Sequence, residues 1–312
     1  MLDHRCELLS DRDIARIHET SIRLLAEVGV ECPLDDALSV FRGHGIRVDG
    51  CRVFLSEDQV AEALSAAPKR FTLNARSLER NVTVGGARAV FAPGYGPPFL
   101  VDSQVGKRLP TMEDYHQLVK VAHALPNQDL SGHLLVQPRD MPAHTVYLDM
   151  LLAHMVHSDK PFLGSTEGAR GARHTMEMAS ILFERDVADW PVTVGLVNSL
   201  SPLGYASDML EALMEYARWR QPVVIAALAM AGLTGPVTLA GVLAMQNAEL
   251  LTGIALVQLV APGAPVVFGS LSSNVDMRTG ALVIGSPELS LLVSAHAQMA
   301  RFYSLPSRSG GA

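Results

Sequence analysis

A short apolar, strand-like run recurs roughly every 30 residues along the second part of this chain, and a stretch with helical spacing follows each one. The runs are Asp129–Gln137, Pro161–Glu167, Pro191–Leu203, Pro222–Ala231, Pro265–Ser273 and Phe302–Arg308. Parallel βα units read this way, because a strand covered on both faces is apolar throughout and a helix carries the chain back. Eight such units close a barrel. The chain has six of these runs, and Ser309-Gly310-Gly311-Ala312 follows directly on the last. The pattern predicts an α/β fold, a (β/α)8 TIM barrel with about six βα units present and its C-terminal end missing.

The first part has a different texture. Ser10, with Asp13 three residues on, is a helix cap, and Ile14, Ile17, Leu24, Leu25 and Val28 follow at helical spacing up to Gly29. A second helix is expected over Leu34–Arg42 and a third after Ser56-Glu57-Asp58-Gln59. Short β-like pieces come next, Arg70–Ala75, Asn81–Val84 and Arg88–Ala92, with Gly85-Gly86 reading as a hairpin turn between the last two. Thr111 caps a helix through Ala124. The expected organisation is an N-terminal helical and small-β subdomain, residues 1–110, and an incomplete catalytic barrel, residues 111–312.

Composition narrows the function classes. A net charge of −7 and the lack of a Lys/Arg cluster with interleaved aromatics argue against a nucleic-acid partner. The three cysteines, Cys6, Cys32 and Cys51, form no CxxC pair; an odd number without a signal peptide fits a reducing cytoplasm. Hydrophobic residues reach 48% and mean hydropathy +0.21. Gln221 to Asn247 carries no charge, but Gly232-Leu233-Thr234-Gly235-Pro236 cuts the run, so strand, loop and helix fit better than a membrane span. The helix expected over Val237–Val260 is apolar on most faces. A helix outside a barrel should have a wet face, so this one implies a second subunit against it and a homo-oligomer.

In a βα barrel the loops after the strands build the site. That rule selects His133 and Gln137, then Ser165, Thr166 and Glu167, then Asn198, Ser199 and Ser201. It goes on to Gly232, Thr234 and Gly235, to Ser270, Ser272, Ser273, Asn274, Asp276 and Arg278, and to Ser307 and Arg308. The set is polar, poor in histidine and without cysteine. It suits the holding of a small polar or charged molecule better than the supply of a nucleophile, and it offers no metal-ligand spacing. Glu288 either complements the helix start that Ser286-Pro287 marks or faces the mouth as a cation-attracting carboxylate. Asp276 and Arg278 read either as a local ion pair or as ligand contacts. Gly94-Tyr95-Gly96 among three prolines is a rigid loop; Tyr95 either stacks on a quaternary ammonium or belongs to a structural turn. His154 and His157 share a helix face, where a packed or solvated role outweighs a metal pair.

With these residues in view, the chain resembles the trimethylamine methyltransferase family, corrinoid-dependent amine demethylases that include glycine betaine methyltransferases without pyrrolysine. The phrases that carry the resemblance include Gly94-Tyr95-Gly96-Pro97-Pro98-Phe99, Lys160-Pro161-Phe162, Ser201-Pro202-Leu203 and Gly235-Pro236-Val237-Thr238-Leu239. Others are Asn247-Ala248-Glu249, Asp276-Met277-Arg278-Thr279-Gly280 and Gly285-Ser286-Pro287-Glu288. The resemblance implies a (β/α)8 barrel and transfer of a methyl group from a methylated amine to Co(I) of a corrinoid on a separate small protein. No cofactor would then be bound directly by this chain. The candidate substrate residues are Tyr95, Glu167, Asn198, Ser201, Ser272, Asp276, Arg278 and Glu288. The candidates facing the corrinoid are Gly94, Gly96, His133 and Gln137. No catalytic residue or metal ligand is assigned. A truncated barrel serving as a binding or assembly subunit is the alternative. A lyase or aldolase is disfavoured, because Lys160 begins a strand instead of ending one.

Overall fold

In this computed structural model residues 7–310 are described; Cys6, Gly311 and Ala312 lie outside them. The N-terminal part forms α1 (Asp11–Arg23), α2 (Asp35–Gly43) and α3 (Glu57–Ala66), followed by α4 (Met112–Ala124) and α5 (Val146–His157). The Ser10, Ser56 and Thr111 hydroxyls each accept from the backbone N–H three residues on, with Asp13, Gln59 and Asp114 bonding back. These capping boxes satisfy donors that a helix start otherwise leaves open. Beyond α1 one wider turn, Leu24–Val28, ends at Gly29, whose φ of +73° and closeness to the Val53 carbonyl oxygen exclude a side chain.

The expected hairpin forms between different runs. Phe71–Leu73 pairs antiparallel with Val82–Val84, and residues 88–92 form no strand. Gly85 sits so close to the Lys69 carbonyl that a Cβ would overlap it, and its φ of +92° turns the chain out of the ladder. Two small antiparallel elements were not foreseen: Val30–Glu31, Arg52–Phe54 and Arg47–Asp49, and the pair Leu100–Asp102 with Gly106–Arg108.

Five strands make the main sheet: β1 (Phe162–Leu163), β2 (Thr193–Asn198), β3 (Val223–Ala227), β4 (Val266–Ser270) and β5 (Ser307–Ser309). Each pairs parallel with its predecessor. Between them run α6 (Gly168–Leu182), α7 (Ser207–Arg218), α8 (Leu239–Val260) and α9 (Pro287–Phe302). The sheet curls into a half-barrel. The first expected strand, Asp129–Gln137, is not a ladder strand. It lies beside β1 through Ser131 N–H to Pro161 O, 2.9 Å, and Leu163 N–H to Gly132 O, 3.0 Å. Gly132, at φ +92°, breaks its extended course. Phe302 closes α9, so the sixth run narrows to β5.

On the concave face Phe71, Leu73, Val82 and Leu130 pack against Leu163, Val194, Leu196, Val224 and Val267. The convex face carries the larger core, centred on α8. By length and apolarity α8 could cross a membrane, but 89% of its most apolar stretch is buried inside the chain. The cover comes from α1, α2 and α3 on one side and α7 and α9 on the others. This corrects the expectation of a second subunit on this helix: its missing wet face is occupied by the chain's own N-terminal helices. It also removes the observation behind the assembly-subunit alternative.

A buried leucine contributes both its transfer term and its packing. Leu256→Ala on α8, where the side chain is fully buried, is expected to destabilise by about 2–5 kcal/mol. Leu152→Ala on the exposed face of α5 should cost far less. Chemical unfolding of the two variants checks this.

Candidate functional site

The C-terminal ends of β1 and β2 open into a cleft of about 600 Å³, in the position where parallel strands gather functional side chains. Its first wall is the turn after β1. The Ser165 N–H bonds to Thr175 Oγ1, and the Tyr216 hydroxyl donates to Ser165 O at 3.1 Å. Gly164 has no room for a side chain, since a Cβ would overlap Tyr216 and Thr175. This fixed turn presents Thr166 and Glu167 to the cleft, and Gly168, at φ +65°, starts α6. Asn198, the last residue of β2, adds its amide.

The opposite wall comes from the proline-rich loop and residues 129–137. Gly96 N–H bonds to Leu134 O at 2.8 Å, and the Asp129 carboxylate accepts from Phe91 N–H at 2.8 Å. The loop is thereby held over the concave face with Tyr95 pointing inward, its ring packed against the inner apolar cluster. Burial pushes the Tyr95 phenol up to about 12, so it stays a neutral aromatic group. His133 and Gln137 line the same wall. His133 is buried, its Nδ1 has no hydrogen-bond partner among the described residues, and burial lowers its pKa to about 4. It is neutral at pH 7. Its carbonyl accepts from the Tyr115 hydroxyl, which also bonds His154 Nε2 at 2.8 Å, while His154 Nδ1 meets Ser131 Oγ at 3.0 Å.

Tyr95, His133, Gln137, Glu167 and Asn198 therefore share one cleft. The sequence reasoning missed Arg170, Asp208 and Glu211, which line it too. Asp208 and Glu211 stand on the first part of α7, beyond the loop where the strand-end rule was applied; Asp208, an acidic residue in the first turn after a strand, was the available signal. Glu211 Oε2 also accepts from Ala169 N–H at 3.3 Å, tying α7 to the α6 N-terminus. Lost hydration raises the Glu167 pKa, and Arg170 works against that rise. Three carboxylates face one guanidinium, so the cleft attracts cations.

The other candidates lie elsewhere. Gly94 and Gly96 are exposed backbone of the proline-rich loop, and Gly96 uses its N–H internally. Ser201 donates to Glu249 Oε2 at 2.9 Å, alongside Ser199 at 2.5 Å, and Leu203 N–H takes Oε1 at 2.8 Å. Glu249, fully buried on α8, is thus the anchor of the loop after β2, and its pKa is raised by burial against those three donors. Ser272 accepts from Ala229 N–H at 2.9 Å and is buried. Asp276 and Arg278 do not form the local ion pair. The Asp276 carboxylate instead accepts Arg278 N–H at 2.9 Å and the Thr279 hydroxyl at 3.0 Å, which lowers its pKa. Ser286 caps α9 with Pro287 behind it, so Glu288 sits in a first turn, where a carboxylate complements the helix dipole. His154 is packed inside, whereas His157 meets His116 at 3.0 Å.

Residues 2–312 match the family model described as Trimethylamine methyltransferase (MTTB). The chain is 48% identical over 306 residues to a glycine betaine methyltransferase of Desulfitobacterium hafniense (strain Y51), covering 97% of this chain and 64% of that protein. It is 33% identical over 321 residues to the proline betaine:corrinoid methyltransferase of Eubacterium limosum, with the same 97% and 64% coverage. The chain thus spans just under two thirds of these curated relatives. The solved structure of the Methanosarcina barkeri monomethylamine methyltransferase (MtmB) superposes with a TM-score of 0.51 at 14% identity, covering 99% of this chain and 69% of that one; this is a likeness of fold.

Burial lowers the His154 pKa to about 3. The unfolded chain binds a proton there below about 6.5, whereas the folded protein does not. The stability this histidine contributes is therefore complete above that pH and is lost as pH falls toward 3. With His154→Gln, the slope of unfolding free energy against pH between 6 and 4 should flatten by about 1.4 kcal/mol per pH unit. Urea titrations across that range measure it; an unchanged slope contradicts the assignment.

Proposed function

This chain belongs to the trimethylamine methyltransferase family, and we propose that the whole protein moves a methyl group from a methylated amine to the corrinoid of a separate small protein. The observation that carries this reading is the cleft itself: cation-attracting, edged by an aromatic ring, and lined, among the described residues, by neither cysteine nor lysine. Such a site holds and orients a cation and leaves the bond-breaking electrons to a co-reactant. That co-reactant is the partner's reduced corrinoid, which supplies a two-electron nucleophile for the methyl group while the amine departs with the C–N electron pair.

A quaternary ammonium is the preferred substrate. Its leaving group is already a neutral amine, so no proton has to move, consistent with a neutral His133 and a neutral Tyr95 at pH 7. The names of the glycine betaine and proline betaine relatives point the same way. A tetraalkylated nitrogen offers no N–H, so recognition falls to the face of Tyr95 and to the charge of Glu167, Asp208 and Glu211. Holding the N–CH3 bond toward the mouth turns an encounter into an oriented attack. Exposed Leu200, Leu228, Leu233 and Met277, on the loops after β2, β3 and β4, give the apolar rim that a broad, flat macrocycle would cover. In this reading residues 111–312 contribute to a (β/α)8 catalytic barrel, residues 1–110 cover its outer helix α8 with α1–α3 and its concave face with the Phe71–Val84 hairpin and the Tyr95 loop, and the compartment is a reducing cytoplasm.

The test is to mix the complete polypeptide with reduced corrinoid protein and, in turn, glycine betaine, tetramethylammonium and trimethylamine, and to follow the Co(I) absorbance. Loss of that signal with a quaternary amine is expected. Tyr95→Leu should raise KM for that amine about 2- to 30-fold, the range of one lost cation–π contact. No loss of signal with any amine, from folded protein, overturns the proposal.

A further inference from the structure

A charged side chain, Arg308, stands at the inner cavity of the concave face. It is half-buried on β5 and lines an inner cavity of about 180 Å³ together with Leu196, Val224, Val267 and Tyr95. No carboxylate among the described residues bonds it; lost hydration lowers its pKa, and Tyr95 works against that fall. A guanidinium stays charged in proteins, and a charge taken from water without a partner is costly. Among the described residues that charge has no anionic partner, and an anionic ligand would supply one.

The strand register shows where that anion would lie. Asn198 on β2 is level with Ala226 on β3, Ala226 with Gly269 on β4, and Gly269 with Arg308 on β5. These four residues form one row across the sheet on the same face as Leu196, Val224 and Val267, since side chains two apart along a strand share a face. The two middle members are the smallest available. At Gly269 a Cβ would come within 2.9 Å of the Ala226 and Val224 side chains, so this position has to be bare. A low floor thus runs for three strand spacings, roughly 14 Å, between Asn198 at one end and Arg308 at the other. Tyr95 and Leu196 line both the inner cavity and the acidic cleft, so the two spaces adjoin at these side chains. One end is negative through Glu167, Asp208 and Glu211; the other holds a cation that no carboxylate among the described residues pairs.

Tyr95 borders both spaces and neighbours Arg308, so a short molecule lying against its ring, with an ammonium on the cleft side and an acid group on the Arg308 side, meets both charges. We propose that Arg308 binds the carboxylate of a zwitterionic quaternary ammonium substrate whose cationic end lies beside Tyr95 and Glu167, and that Arg308 thereby selects betaines over amines without an acid group. This assignment rests on the methyl-transfer reading and deepens it to a substrate class and a specificity residue.

The experiment uses the complete polypeptide with its corrinoid protein and measures kcat/KM for glycine betaine and for tetramethylammonium, which has no carboxylate. Each preparation serves as its own reference, so a partly folded variant does not disturb the ratio. Wild-type protein should prefer glycine betaine. In Arg308→Gln that preference should fall about 10- to 100-fold, as loss of a hydrogen bond to a charged group implies, through a higher KM for the betaine alone. Arg308→Lys should restore part of it. A wild-type protein that demethylates neither compound overturns the methyl-transfer reading and this assignment with it. A wild-type protein that demethylates them, with a ratio unchanged in Arg308→Gln, overturns the role of Arg308 alone; that is the outcome expected if the rest of the polypeptide already neutralises the arginine.

Discussion

Everything in this structure hangs on the burial of α8. A 22-residue helix with Glu249 as its one charged side chain has to be covered on every side, and the chain does this with the sheet beneath it and α1, α2 and α3 above it. The few polar groups on α8 then become fixed points. Glu249 holds Ser199, Ser201 and Leu203 in the loop after β2. Asn247 bonds Ser21 on α1 and Tyr303 after α9, at 2.8 and 2.7 Å. Gln246 takes the Ser270 hydroxyl at the end of β4 and meets His296 at 3.3 Å. Buried polar groups are tolerable only when bonded, so each of these tethers ties the convex layer to a strand end or to the N-terminal cover. The loops at the strand ends are ordered by the same helix that fills the core.

The concave side obeys a different constraint. Its apolar row is capped by the Phe71–Val84 hairpin and by Tyr95, and its polar groups lie at the two ends of a floor made of Ala226 and Gly269. Negative charge collects where the β1 and β2 loops meet the starts of α6 and α7, and the positive charge of Arg308 stands on β5 without a carboxylate partner among the described residues. Charge separated along one groove is a recognition pattern, because a ligand of opposite polarity gains at both ends and a ligand with one charge gains at only one. The chain supplies position, field and an apolar surround; the methyl acceptor comes from elsewhere.

The recurring apolar runs were enough to read the α/β class, the parallel order of the sheet and the capped N-terminal helices, because caps and periodicity are local signals. The Asp129–Gln137 run failed as a strand because a left-handed glycine at 132 interrupts it, and composition does not show a backbone angle. The cover of α8 was read as a second subunit because sequence shows that a helix is apolar but not what lies against it. At the site, His133, Gln137, Glu167 and Asn198 came from the strand-end rule and Tyr95 from the rigid glycine–proline loop; it is the fold that puts them in one cleft. Ser201 and Ser272 follow the same rule but turn their hydroxyls to Glu249 and to a backbone N–H, which depends on tertiary contacts. Asp208 and Glu211 reach the cleft from a helix start, and Arg308 becomes meaningful only through the register that sets it level with Gly269.

The most direct measurement is a crystal structure of the complete polypeptide with glycine betaine bound. The trimethylammonium group is expected against Tyr95 on the side of the Glu167–Asp208–Glu211 cleft, and the carboxylate on the Arg308 guanidinium on the other side of that ring. A betaine bound in the reverse sense, or at a site away from this groove, would contradict this placement.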